Sequence, residues 1–169
     1  MKRISISHPV LGGNEKQYVN ECLDSSWISS HGKFIDLFEH SFAAFCGVAH
    51  AVACNNGTTA LHAALLALGV GPGDEVIVPT LTYVATANAV RYCGATPVFV
   101  DSEPRTMNLD PACIEPKITP RTKGLLPVHL YGHPADMDPI LDIARRRGLF
   151  VLEDAAEAHG AQDKGKMAG

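Results

Sequence analysis

Four stretches of this chain carry side chains whose types and spacing could do chemistry. Asn55-Asn56-Gly57-Thr58-Thr59 leads into a segment of helical period, so unpaired backbone amides, two hydroxyls and a helix dipole face one point. That is an anion site, most simply for a phosphate. An ordinary Ser/Thr helix cap uses the same residue types, and spacing alone leaves both readings open. Pro79-Thr80-Leu81-Thr82-Tyr83 sets an aromatic ring at a helix start. Tyr83 could cover a planar ligand there or pack on a neighbouring sheet. His129-Leu130-Tyr131-Gly132-His133 holds two histidines with no carboxylate or thiol nearby to complete a metal set. Ordinary hydrogen-bonded loop histidines are expected, and no metal site. The run Leu149-Phe150-Val151-Leu152 passes directly into Glu153-Asp154-Ala155-Ala156-Glu157-Ala158-His159. If Asp154 opens a helical turn, Glu157 shares its face and both carboxylates address one bound molecule. Acids that offset a helix dipole are the alternative.

Each of these stretches follows a short apolar run. The runs are Ala51 to Cys54, Glu75 to Pro79, Pro97 to Val100, Gly124 to Val128 and Leu149 to Leu152, and they recur at nearly even spacing. Segments of helical period lie between them, at Thr59 to Leu68, Val84 to Tyr92 and Met137 to Arg147. Alternating strand and helix predicts an α/β fold, three layers deep (α/β/α), with a mostly parallel sheet whose doubly buried strands read as continuous apolar runs. Ligands in such sheets collect beyond the carboxyl ends of the strands, where the four stretches fall. Residues before this region differ. Asn14 to Asp24 and Phe34 to Phe45 read as amphipathic helices joined by the irregular segment 25–32, and Asn14 with Gln17 reads as a capping box. Gly69, Gly71 and Gly73 form a GxGxG that precedes a strand, whereas a dinucleotide loop must follow one and open a helix.

Composition narrows the classes further. The 169 residues are 46% hydrophobic and 19% charged, enough to bury one sizeable core but not two complete domains, so any second domain must lie outside this chain. A net charge of -4 without long basic runs argues against nucleic acid as partner. The 5 cysteines are odd in number and include no CxxC pair, which disfavours a disulfide scaffold or a zinc ribbon. Residues 1–9 lack an apolar signal core, and no stretch reaches the ~18 apolar residues of a membrane span. A reduced, cytoplasmic protein without membrane contact is expected.

Taken together, Asn55-Asn56-Gly57-Thr58-Thr59-Ala60-Leu61, Gly71-Pro72-Gly73-Asp74-Glu75-Val76-Ile77-Val78-Pro79, Thr82-Tyr83 and Glu153-Asp154-Ala155-Ala156-Glu157-Ala158 resemble the DegT/DnrJ/EryC1/StrS sugar aminotransferases. These are pyridoxal-phosphate (PLP) enzymes of the aspartate aminotransferase fold type. The resemblance runs from about Ile4 to Gly169. It implies the N-terminal part of a PLP-dependent transferase large domain, with an N-terminal helical segment at 1–48, an incomplete cofactor-binding domain at 49–169 and the small C-terminal domain absent. It also implies site roles. Gly57, Thr58 and Thr59 would hold the cofactor phosphate, Tyr83 would stack on the pyridine ring, and Asp154 would pair with the ring nitrogen and keep it protonated. Glu157 would approach the ring's phenolic oxygen, where many relatives have Gln. The likeness at Trp27-Ile28-Ser29-Ser30 and Pro127-Val128-His129-Leu130-Tyr131-Gly132 implies substrate contacts from Trp27, Ser29, Ser30 and His129. By overall likeness the substrate is GDP-4-keto-6-deoxymannose, aminated at the expense of glutamate. A cytoplasmic homodimer serving lipopolysaccharide O-antigen biosynthesis is implied.

One feature of the family's pattern has no counterpart. Its Schiff-base lysine lies further along than Gly169, and none of Lys2, Lys16, Lys33, Lys117, Lys123, Lys164 or Lys166 fits its position. No catalytic residue is therefore expected within these 169 residues, and the chain alone is expected to be inactive. Two further readings stay open: a non-catalytic binding module, and part of a sugar dehydratase, which has His in place of that lysine.

Overall fold

The computed structural model describes residues 8–169; the start of the resemblance and the absent signal core fall partly outside them. The chain divides into two compact units, the first ending at Ala53 and the second comprising Cys54–Gly169.

The first unit holds two helices, α1 (Glu15–Asp24) and α2 (Lys33–Cys46). Both lie within one residue of their expected limits. The capping box does not form. Asn14 sits at φ -93°, ψ 10° without a capping bond, because its amide instead donates to Tyr18 Oη at 3.3 Å while the Gly13 N–H goes to Glu15 Oε2 at 2.9 Å. The connector at 25–32 is irregular as expected, and its end needs glycine. Gly32 has φ 145°, and a Cβ there would lie 2.2 Å from the Trp27 ring. Ala51 to Cys54, expected as the first strand, joins no ladder. The Ala53 N–H is committed to Glu39 Oε1 at 2.8 Å, and Val52 is 81% exposed, so neither backbone pairing nor burial makes a strand here.

The second unit is the α/β fold. Four strands, β1 (Glu75–Pro79), β2 (Thr96–Val100), β3 (Thr122–Leu125) and β4 (Phe150–Val151), form one parallel sheet in the order β2-β1-β3-β4. Helices α3 (Gly57–Ala67), α4 (Ala85–Tyr92) and α5 (Met137–Arg147) supply the outer layers. The period-2 geometry of β1 splits the core in two. Val76 and Val78 point to a cluster with Leu61, Leu65, Ala89 and Val90, while Ile77 points the other way to Leu125, Ile140 and Ile143. Each fully buried Val, Leu or Ile among them contributes about 1.5–3 kcal/mol. Close strand contact explains Gly124: its Cβ would lie 2.2 Å from the Phe150 ring packed beside it. β3 ends earlier than expected because Pro127 has no N–H to donate, and pairing resumes only as a single parallel bridge between Val128 and Asp154. A small hairpin, β5 (Gln162–Asp163) with β6 (Lys166–Met167), closes the sequence through Lys164 and Gly165, whose φ values of 51° and 79° suit a two-residue turn.

Since β1 leads to β2 on one side while β3 and β4 lie on the other, strand order reverses between β1 and β3. A crevice opens beyond the carboxyl ends at such a reversal.

Candidate functional site

A cavity of about 450 Å³ occupies that crevice. Its wall comes from the start of α3 (Asn56, Gly57, Thr58), the loop after β1 (Thr82, Tyr83), the segment after β3 (Val128, Leu130) and the segment after β4 (Asp154, Ala156, Glu157). Five of the six residues expected to hold a cofactor thus line one space.

The α3 end is a capped helix N-terminus with amides to spare. Asn56 caps it, its Oδ1 accepting the Thr59 N–H at 2.9 Å, and the Ala60 N–H reaches the Asn56 carbonyl at 3.1 Å. Of the first-turn amides, those of Gly57 and Thr58 have no acceptor among the described residues. Thr59 does not line the cavity. Its hydroxyl turns back to Asn55 Oδ1 at 2.7 Å and to the Asn56 carbonyl at 2.8 Å, so it stiffens the loop. The cap reading is realised at Asn56, while the amides that the anion reading needs are left on Gly57 and Thr58.

Asp154 is nine-tenths buried, its backbone fixed by the Asp154 N–H to Pro127 O bond at 2.9 Å. Its Oδ2 accepts the Thr86 hydroxyl at 2.8 Å and its Oδ1 the Ala156 N–H at 3.3 Å. No helix begins here, contrary to the expected helical turn, because the bridge to Val128 keeps Asp154 extended and only a turn follows. Glu157 nevertheless reaches the same cavity through that turn. Its Oε2 accepts the Tyr131 N–H at 2.7 Å, a contact that Tyr131 makes from a left-handed conformation at φ 51°. The Tyr83 ring is 73% exposed on the cavity rim.

His129 lies elsewhere. It is fully buried, and Nδ1 accepts the Ala135 N–H at 3.0 Å, so the ring hydrogen sits on Nε2 and is donated to Glu153 Oε2 at 2.8 Å. That bond, reinforced by the Gly169 N–H, holds the Glu153 carboxyl below its usual range against the cost of partial burial. His129 does not line the cavity. Trp27 and Ser29 line a separate cavity of about 720 Å³ within the first unit, and Ser30 does not. The sequence reading gave no role to Thr82, quoted there only as part of the Thr82-Tyr83 motif, or to Thr86 in the helix that follows. A threonine in an amphipathic helix reads as solvent-facing, and no local pattern foretells the contact with Asp154. Among the described residues no lysine lines the cavity beyond β1, β3 and β4; Lys164 is paired with Asp138 instead.

Residues 9–169 match the DegT/DnrJ/EryC1/StrS aminotransferase family, and the chain belongs to it. It is 65% identical, over its full 169 residues, to a GDP-perosamine synthase of Caulobacter vibrioides, of which it covers 46%. The chain spans about half the length of the curated relatives it matches. Among solved structures it is similar to an aminotransferase from Psychrobacter cryohalolentis (TM-score 0.89, 42% identity, covering 95% of this chain and 41% of that one). It is also similar to NtdA from Bacillus subtilis with bound cofactor PMP (TM-score 0.84, 41% identity, 90% and 36% covered). The mostly parallel α/β architecture is that of PLP aminotransferases, and no described helix is long and apolar enough to cross a membrane.

Proposed function

We propose that this chain is the cofactor-holding part of a PLP-dependent nucleotide-sugar aminotransferase that aminates GDP-4-keto-6-deoxymannose to GDP-perosamine with glutamate as donor. The observation that carries the reading is the convergence of two unpaired amides and two carboxylates on one cavity. The donor set fits the cofactor. The Gly57 and Thr58 amides suit a phosphate at a helix N-terminus, Asp154 suits a ring nitrogen that must keep its proton, and Tyr83 offers an aromatic face. When bound, PLP supplies the electron sink for chemistry at the amino carbon. The protein's own task is to orient it: Asp154 would hold the ring-nitrogen proton, Glu157 would approach the phenolic oxygen, and Val128, Leu130 and Ala156 would supply apolar wall.

The reactive amine comes, on this proposal, from residues beyond this sequence, in a longer parent that also supplies the small domain. The parent is a cytoplasmic homodimer in which Trp27, Ser29 and Ser30 serve the substrate side. His129 buttresses the wall behind Asp154, through its backbone N–H to the Asp154 carbonyl at 3.1 Å. Calorimetric titration of the chain with pyridoxamine phosphate tests the cavity assignment, with saturable one-to-one binding expected. No binding at millimolar ligand overturns it. Glutamate-dependent amination by the pure chain would sink the assignment of the amine to a longer parent.

A further inference from the structure

We propose that Thr86 is a positioning residue: with Thr82 behind it, its hydroxyl fixes the rotamer of the Asp154 carboxylate that faces the cavity. The inference rests on the cofactor reading above and adds a residue to it.

Thr86 lies in the first turn of α4, is fully buried, and has the core residues Ala89 and Val90 on its own helix. A hydroxyl in such surroundings is unfavourable unless bonded. Threonines in helices usually return that bond to a carbonyl one turn earlier. Thr86 instead meets a side chain on either side: Asp154 Oδ2 at 2.8 Å and Thr82 Oγ1 at 3.0 Å. The directions follow from the chemistry. A carboxylate only accepts, so the single Thr86 hydrogen goes to Asp154, and Thr82 must then be the donor to Thr86. The series runs from partly exposed Thr82, itself on the cavity wall, through buried Thr86 to Asp154.

Among the described residues, the other hydrogen bond to the Asp154 side chain is the long one from Ala156, made within its own segment. Thr86 is thus the group that ties this carboxylate to a different element, the helix following β1. Packing alone does not require a hydroxyl at this point. The bond leaves lone pairs of Asp154 for a ligand while denying the carboxylate rotation about its side-chain bonds, which is what a site that must meet a ring nitrogen in one geometry needs.

The test compares the full chain with Thr86→Val, which keeps the shape and loses the hydroxyl, and Thr86→Ser, which keeps the hydroxyl. Without ligand, three-bond NMR couplings report the Asp154 rotamer: one rotamer is expected in the parent sequence and in Thr86→Ser, and averaging in Thr86→Val. With pyridoxamine phosphate labelled at the ring nitrogen, Thr86→Val should raise Kd about tenfold and move the bound nitrogen shift toward the unprotonated value, with Thr86→Ser within about twofold. Thr82→Val, at a partly exposed position, should give about a threefold rise in Kd and partial averaging, and serves alone if Thr86→Val does not fold. A single Asp154 rotamer and an unchanged nitrogen shift in the valine variants, even with lowered stability, overturn the proposal. If the parent sequence itself does not bind the ligand, the cofactor reading fails while the ligand-free couplings still decide the role of Thr86.

Discussion

The two ends of the parallel sheet use the same kinds of residue for opposite purposes. At the amino end, Glu75 opens β1 almost fully buried, and everything it needs is supplied by the fold: the Thr119 hydroxyl on Oε2, and the Arg121 guanidinium on Oε1, with Nε at 2.9 Å. At the carboxyl end, Asp154 is buried to a similar degree but faces a cavity, two α3 amides have no acceptor, and Tyr83 is exposed. The first arrangement closes on itself; the second keeps bonding capacity open toward a cavity. Polar groups gathered on one cavity with bonding capacity left over mark function better than polar groups as such.

The largest effect expected from breaking this contrast is at Asp154. Asp154→Asn keeps an acceptor for Thr86 yet removes the anion facing the ring nitrogen, and should raise Kd for pyridoxamine phosphate about a hundredfold, near 2.7 kcal/mol. Glu157→Gln should change it less than about threefold, because a Gln carbonyl accepts the Tyr131 N–H as well as a carboxylate does. Equal losses in the two variants, measured by calorimetry, would remove the distinction between the carboxylates.

Glu75→Gln should do the reverse, lowering stability by about 1–2 kcal/mol at neutral pH and leaving ligand affinity unchanged. The Thr119 hydroxyl first, then Arg121, hold the Glu75 carboxyl below its ordinary 4.5. A lowered value in the folded state means that this stabilisation is complete above about 4.5 and is lost as pH falls through the folded value. Urea unfolding across this range should therefore show the gap between the two proteins narrowing in acid. A gap that widens there would show that the carboxylate does not carry it.

How far the sequence revealed these ends depends on the kind of signal. Periodic elements were legible: β1 and α5 occupy the residues that apolar period assigns to them, because one buried face imprints itself on the spacing. Ala51 to Cys54 misled because a strand is defined by a hydrogen-bonded neighbour, which an apolar run does not encode. The convergence of Gly57, Thr58, Tyr83, Asp154 and Glu157 was legible through the rule for strand ends combined with the family resemblance. Glu157 reached the cavity by a turn and not by the expected helix face. Thr86 and the inward turn of His129 were invisible, since each depends on a carboxylate far away in sequence: Asp154 for the first, Glu153 for the second.

The finest test separates the two jobs of the α3 terminus. Asn56→Asp preserves the cap, since Asp accepts the Thr59 N–H as Asn does, and its charge suits the helix dipole, so stability should stay the same or rise by about 0.3–1 kcal/mol. The same charge stands beside the Gly57 and Thr58 amides, where it competes with an incoming phosphate. Kd for pyridoxamine phosphate should rise about three- to tenfold, less in high salt, while pyridoxamine without its phosphate should bind as before. Opposite signs for stability and affinity are what a helix end shared between a cap and an anion site must give. A variant that loses both together would mean that the loop had merely distorted, and one that keeps full affinity would mean that the phosphate is held elsewhere.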